Sequence, residues 1–435
     1  MKNYKMLVPI ALVVLLVLSA FMLFDSRKTA EEQYQTYLAE ARAFREKGIT
    51  VDADANYQSA YEMRPSAELA VEIGDMYRTA GMSREMRKWG DTLLEEYPKE
   101  VGVYELLIRY YYDIGDYSTC YELARQYQGR KLSSEKIDKI IQDMTYTFDI
   151  SGSFDDVSVF SNGRAAIFYD GKWGYVTLEG TTAVYRNFQK AGAFSSADLA
   201  PVVDMDGNAY FIDPEGNKKQ IIEGVKELRE LGYISGETFP LYDGKTWAFY
   251  NLSGQKLFGD YDEVSALANG VAAVRKGSDW SLVDNTGKTI SKSVYFSVVM
   301  DEKTIACRND RLFVEDMMGF HMIDSAGKEY GEVYDAAVLF NDDTLAAVEK
   351  NGKWGFVDAS GKMVIEPKYD GARSFSNGYA GVKVGDLWGF IDAKDQMVIE
   401  PQFYDVKDFS SQGSVFVSTR GYWELLTLYS FMQED

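Results

Sequence analysis

The residue types that most often carry chemistry are sparse in this 435-residue sequence, and where they are plentiful they recur. His321 is the single histidine, so a histidine-built metal centre or nucleophile–base pair lacks the partners it needs. Cys120 and Cys307 lie far apart, with no CxxC or cysteine–histidine spacing, and make neither a disulfide framework nor a zinc site. Carboxylate pairs can hydrolyse glycosides, and Asp284, Asp324, Asp358 and Asp392 invite that reading. They return at one repeat position, which points to turn capping, because catalytic groups are usually singular. Asp204-Met205-Asp206-Gly207-Asn208 opens like a calcium loop but lacks the later ligands and closing Glu, so an Asp-Gly hairpin accounts for it. No glycine-rich phosphate loop, dinucleotide fingerprint or HExxH helix occurs. The expectation is a protein that is not an enzyme, with no catalytic, cofactor or metal residues. A pocket of non-repeating polar groups would have to be sought in the irregular stretch Glu223 to Phe239.

Tryptophan is the next residue type with chemistry to offer, as a platform for stacking on sugars. Trp354-Gly355 and Trp388-Gly389 stand 34 residues apart, and Val364-Ile365-Glu366-Pro367 returns as Val398-Ile399-Glu400-Pro401. Equivalent positions are Trp173, Ala209, Trp247, Trp280, Phe320, Trp354, Trp388 and Trp423, at intervals of 36, 38, 33, 40, 34, 34 and 35. A fixed period in this range means supersecondary units that stack or form a ring. Each position opens a short strand, and most are followed by an Asp- or Asn-led turn ending in Gly, then a second strand, a Tyr-Asp corner and a strand of small and β-branched residues. The register of the tryptophans with apolar neighbours makes them core packing first.

The pattern W-G-F-[VI]-D, then V-I-E-P, then Y/F-D resembles the tryptophan–glycine (WG) β-repeat family, closely in the last two full copies. The signature positions are Trp173, Gly174, Trp247, Trp280, Trp354, Gly355, Trp388, Gly389 and Trp423; Ala209, Ser281 and Phe320-His321 depart from it. The resemblance implies a scaffold of about 280 residues with no common chemistry. Repetition of a three- or four-stranded unit favours a seven- or eight-bladed propeller-like fold, which leaves few edges exposed. An open β-solenoid stays as the alternative.

Residues 29–150 read instead as helices. Gly48, Gly81 and Gly115 recur at 33 and 34 residues where helices must stop, and Pro65 and Pro98 mark where new pairs begin. Ala41, Phe44, Gly48, Ala53, Tyr57, Ala60 and Pro65 resemble one tetratricopeptide repeat, and later copies are partial, with Cys120 in a small-residue slot. The resemblance implies a short α-helical solenoid that binds protein or peptide. Ser133-Ser134 are expected to cap a further amphipathic helix.

Met6 to Phe24 is nineteen uncharged residues, about 28 Å as a helix, which is enough to cross a bilayer core. The bulky Phe21-Met22-Leu23-Phe24 end suits an uncleaved anchor better than a signal peptide. The expected organisation is therefore a transmembrane signal anchor over 1–28, tetratricopeptide-like helices over 29–150 and a WG β domain over 151–435. The expected location is the cell membrane, single-pass, with the remainder extracytoplasmic.

The net charge of −21 and the absence of any Lys/Arg-rich run exclude a nucleic-acid backbone as partner. The expected function is a membrane-anchored repeat scaffold for protein–protein interaction, with a protein or peptide partner and the membrane met through residues 6–24. The alternative is a carbohydrate or cell-wall polysaccharide bound by exposed aromatics of the β domain.

Overall fold

The computed structural model describes residues 29–144, 146–219, 228–291, 293–341 and 343–429. The chain divides between Thr145 and Tyr146 into two compact units, one helical and one built of strands.

The helical unit is a succession of α1 (residues 29–46), α2 (Thr50–Met63), α3 (Ala67–Thr79), α4 (Ser83–Glu96), α5 (Val101–Asp113), α6 (Tyr117–Gly129) and α7 (Glu135–Met144). Glycine ends three of them. Gly48, Gly81 and Gly115 take φ of 71°, 70° and 75°, and the next amide reaches back from Ile49 to Phe44 O, Met82 to Tyr77 O and Asp116 to Tyr111 O. Ser66 and Asp116 start α3 and α6 by accepting from Leu69 N and Thr119 N, both at 3.2 Å. Ser134 O accepts from Asp138 N at 2.9 Å at the start of α7, and its Oγ donates to Glu105 Oε1 at 2.6 Å. Small residues set how closely the helices cross. A Cβ on Gly74 would fall 2.4 Å from Leu106 Cδ2, and one on Gly90 2.9 Å from Leu107 Cδ2. Cys120 is buried in the same core, its Sγ 3.5 Å from Ile108 O.

Among the described residues the β unit comprises seven antiparallel sheets, five of four strands, one of three and one of seven. In the repeat nearest the signature, Leu345–Lys350, Lys353–Asp358 and Met363–Tyr369 form a meander, with Ala336–Ala337 as a short fourth strand. The seven-stranded sheet joins two repeats, because Thr182–Ala191 pairs onward with Ala200–Asp204. In the last sheet, Tyr422–Tyr429 pairs with Ser414–Thr419 on one side and with Thr147–Phe154, the unit's first strand, on the other. Aromatic contacts join neighbouring sheets: Phe313 stacks on Phe340 at 6.1 Å and Phe160 on Phe416 at 5.0 Å.

Two expectations are corrected. The transmembrane helix and the single-pass membrane location that followed from it are not supported, because no helix among the described residues is long and apolar enough to cross a membrane. Helices α2 to α7 run 10 to 14 residues, about 15–21 Å, against a hydrocarbon core of about 30 Å; α1 is longer but carries Glu31, Glu32, Glu40, Arg42, Arg45 and Glu46. Met6–Phe24 itself lies outside the described residues. The fold class of seven or eight separate blades is corrected as well. One sheet spans two repeats, and among the described residues the strands do not join into a closed barrel. An open solenoid is not formed either, since the first strand of the unit hydrogen-bonds to the last.

Candidate functional site

The signature residues occupy one register throughout. Trp173, Trp247, Trp280, Trp354, Trp388 and Trp423 pair across the sheet with Phe188, Tyr261, Tyr295, Tyr369, Phe403 and Phe154. Trp280 is buried and the others are half-buried. The following glycine is required by its neighbour strand. A Cβ on Gly355 would lie 2.5 Å from Ile365 O and 2.8 Å from Pro367 N, and one on Gly389 2.4 Å from Ile399 O and 2.8 Å from Pro401 N. Gly174 meets Val184 O in the same way at 2.8 Å. At each of these glycines the register shifts by a bulge, which brings the third strand's backbone over the glycine.

The recurring carboxylates close turns. Asp358 Oδ1 accepts from Ser360 N and Lys362 N at 2.8 and 3.1 Å, and Asp392, Asp324 and Asp284 accept the equivalent pairs. Hydrogen bonds to the ionised form hold Asp284, Asp324 and Asp358 below the ordinary carboxylate value, from Thr286, Lys328 and Ser360 foremost. Asp204 uses its Oδ1 on the amides of Asp206 and Asn208, at 3.0 and 2.8 Å, so the calcium-like loop is a hairpin turn. His321 Nε2 lies 2.9 Å from Asp316 Oδ1. Among the described residues no cluster of three or more His, Cys, Asp or Glu could hold a metal ion.

A cavity of about 1280 Å³ lies within the β unit and is lined from every repeat. Its wall is a set of two-residue turns that the repeat reading missed: Ser161-Asn162-Gly163, Ala268-Asn269-Gly270 and Ser376-Asn377-Gly378 are the clearest. The signal was present as an Asn-Gly pair ahead of three of the small-residue strands, with Asn162, Asn269 and Asn377 all at positive φ. These turns also bind each repeat to the next. Asn269 Nδ2 donates to Cys307 O at 3.2 Å and Asn377 Nδ2 to Phe409 O at 2.7 Å.

One side chain crosses between distant repeats. Glu302 accepts from Val159 N at 3.1 Å and pairs with Lys407 Nζ at 2.8 Å and Arg373 Nη2 at 3.4 Å. Arg373 grips Asp408 with two bonds, 2.6 and 3.0 Å. Burial opposes the charge on Arg373, but the Asp408 carboxylate, helped by Glu302, raises its proton affinity above that of a free guanidinium. The charges in this cavity thus neutralise one another.

The helical unit carries a second concavity, about 240 Å³, between α3, α5 and α7. Val71, Leu106, Ile137 and Ile140 form an apolar floor, and Asp75, Arg78, Glu105, Arg109 and Lys136 stand around it. Ion pairs tie helices one repeat apart: Arg42 with Glu72 at 2.8 Å, Arg45 with Asp75 at 2.6 Å, Arg78 with Asp113 at 3.2 Å and Lys136 with Glu105 at 2.8 Å. Arg42 above all holds the Glu72 carboxyl below its ordinary value.

The β unit is repetitive in sequence as well as in form. A WG containing repeat model matches residues 150–173, 247–280, 333–354, 354–388 and 388–423. The unmatched stretches hold Ala209, Ser281 and Phe320-His321, where the signature is lost. No curated protein matches the chain. Among solved structures, one described as a eukaryotic initiation factor shares 16% identity over 61% of this chain and 81% of its own, with a TM-score of 0.42. Hsv2p of Kluyveromyces lactis shares 9% over 56% and 93%, with a TM-score of 0.36. A CNH domain described as AfRom2 shares 8% over 65% and 99%, with a TM-score of 0.34.

Proposed function

We propose that this repeat protein is a non-enzymatic scaffold that binds another protein or a peptide. The groove on α3, α5 and α7 carries the reading. Its apolar floor suits one or two side chains of an extended or helical segment, and its charged rim suits that segment's polar groups. The helical unit is read as a tetratricopeptide-like solenoid, whose helix pairs present such a face. The ion pairs along it favour a pre-formed surface, which lowers the entropic cost of binding.

The test is site-specific photo-crosslinking in cells, with the photoreactive residue at Arg109, which is 59% exposed on the groove rim. A discrete protein adduct is expected at position 109 and absent from the exposed Glu95 position on α4. No adduct at 109 beyond that at 95 sinks the proposal. A second reading, carbohydrate-polymer binding, draws on Tyr185, Tyr404 and Tyr422, exposed at 75%, 63% and 52%. Co-sedimentation with purified polymer, lost when these tyrosines become serine, would favour it instead.

A further inference from the structure

In a repeat protein, a position that departs from its equivalents is not explained by the shared repeat fold. Eight hairpins connect the small-residue strand to the signature strand, and seven have polar tips. These are Asp170-Gly171, Asp206-Gly207, Asp243-Gly244, Gly277-Ser278, Asn351-Gly352, Gly385-Asp386 and Arg420-Gly421. Met205, between Asp204 and Asp206, is their one methionine. The eighth, between Leu312–Asp316 and Gly319–Ile323, holds Met317 and Met318, exposed at 86% and 76%.

Neighbouring strands extend the apolar surface. Phe296 N donates to Glu315 O at 2.8 Å, which seats Phe296 beside the hairpin tip at 61% exposure. Val294, two residues earlier, is 59% exposed, while Tyr295 between them is buried against Trp280. On the opposite strand Val333 pairs with His321 and adjoins the tip, its Cγ1 lying 3.0 Å from where a Gly319 Cβ would stand. The pairings Val298–Val314, Val314–His321 and His321–Val333 place Phe296 and Val333 on one face of this sheet. Around them stand Asp316, Glu329 and Glu332, with side chains 46%, 72% and 65% exposed. Asp316 and Glu329 face His321 at 2.9 and 3.8 Å and Glu332 pairs with Lys350, so three carboxylates stand against one lysine and one imidazole.

We propose that Val294, Phe296, Met317, Met318 and Val333 form a docking surface for a basic amphipathic segment of a partner protein. Methionines adapt to varied apolar shapes without a fixed rotamer. An exposed apolar cluster rimmed by polar groups marks an interaction site. The acidic rim selects the occupant's charge, since residues 151–435 hold 27 basic and 43 acidic side chains, a net of −16. That excess opposes an anionic bilayer, and a second copy would set the same acidic rim against itself. The surface rests on the protein-binding reading above but is separate from the helical groove.

The test is fluorescence anisotropy on the full chain with a labelled Leu/Lys amphipathic peptide about five turns long, against an equally apolar Leu/Glu peptide. Binding of the Leu/Lys peptide is expected to weaken at least about tenfold, on the order of 1.4 kcal/mol, in the Phe296→Ser, Met317→Asn, Met318→Ser triple variant. Met205→Asn, at a different hairpin, should leave it unchanged. The substituted side chains are exposed, and retained circular dichroism checks the fold. Equal affinity of wild type and triple variant overturns the proposal, as does equal binding of the Leu/Glu peptide. So does dimerisation abolished by the triple variant, or variant-sensitive adsorption to phosphatidylglycerol vesicles stronger than peptide binding. If the peptide is not bound while the Arg109 adduct persists, this surface fails and the scaffold reading stands; loss of the adduct alone has the reverse meaning.

Discussion

A carboxylate that accepts two backbone amides is favoured in its ionised form, and the β unit repeats that arrangement at Asp284, Asp324 and Asp358. Asp213 follows the same rule and is lowered to about 2, with Lys219 the largest cause. Folded values below the ordinary 3.8 mean that the stabilisation is complete above that value and is lost as pH falls through the lowered ones. The urea midpoint of the β unit should therefore be insensitive to these groups from pH 7 to about 5 and fall steeply below about 4. A flat profile down to pH 2 would show that the turns do not depend on their charge. These aspartates were legible in the sequence as turn residues because an Asx turn is a property of five consecutive residues. The link of His321 to Asp316 was not, since it depends on two strands meeting in register.

At the scale of the element, the Trp-Gly pair joins two physical demands. The tryptophan stands opposite an aromatic of the next strand in the ladder, as Trp354 does Tyr369. Its ring can meet an aromatic of the strand before it, as Trp173 meets Phe168 at 5.2 Å. The glycine lets the next strand's bulge approach within contact of its Cα. Gly355→Ala would push a methyl to 2.5 Å from Ile365 O, which backbone cannot easily yield. The expected cost is about 2 kcal/mol, read from the denaturant midpoint, while Ala359→Gly in the adjoining half-buried turn should cost well under half of that. Equal effects would mean that the close approach does not matter. The period and strand order were visible in the sequence, because alternation and Gly-led turns are local. The bulge was not visible, and the glycine stood out only as a recurring letter.

At the scale of the molecule, closure of the β unit depends on contacts between residues far apart in the chain. Glu302 meets Val159, Arg373 and Lys407, and Thr147–Phe154 completes the sheet of Tyr422–Tyr429. Arg373→Met leaves Asp408 and Glu302 without their shared cation. Arg373 keeps about a quarter of its surface exposed, so the loss is smaller than for a fully buried pair, about 2 kcal/mol. Adding Asp408→Asn should recover part of it in a double-mutant cycle. If the two losses simply add, Arg373 is not held by Asp408 in solution. The ion pairs of the helical unit work between α3, α5 and α7 in the same way and leave the apolar floor of the groove open.

The sequence by itself determined where helices end, where hairpins turn and how often the β motif returns, because each is settled by the φ preferences and side-chain hydrogen bonds of a few adjacent residues. It also determined the WG likeness and the apolar run Met6–Phe24, although a long apolar run did not establish a membrane-spanning helix. Only the tertiary structure decided that the first and last strands share a sheet, that two repeats merge into one sheet, and that Asn-Gly turns from repeats far apart in the chain line one cavity. Likewise, Met317 and Met318 look like two more apolar letters until the hairpin places them at an exposed tip. Pairings of this kind follow from chain closure and packing between distant segments, which a local pattern does not encode.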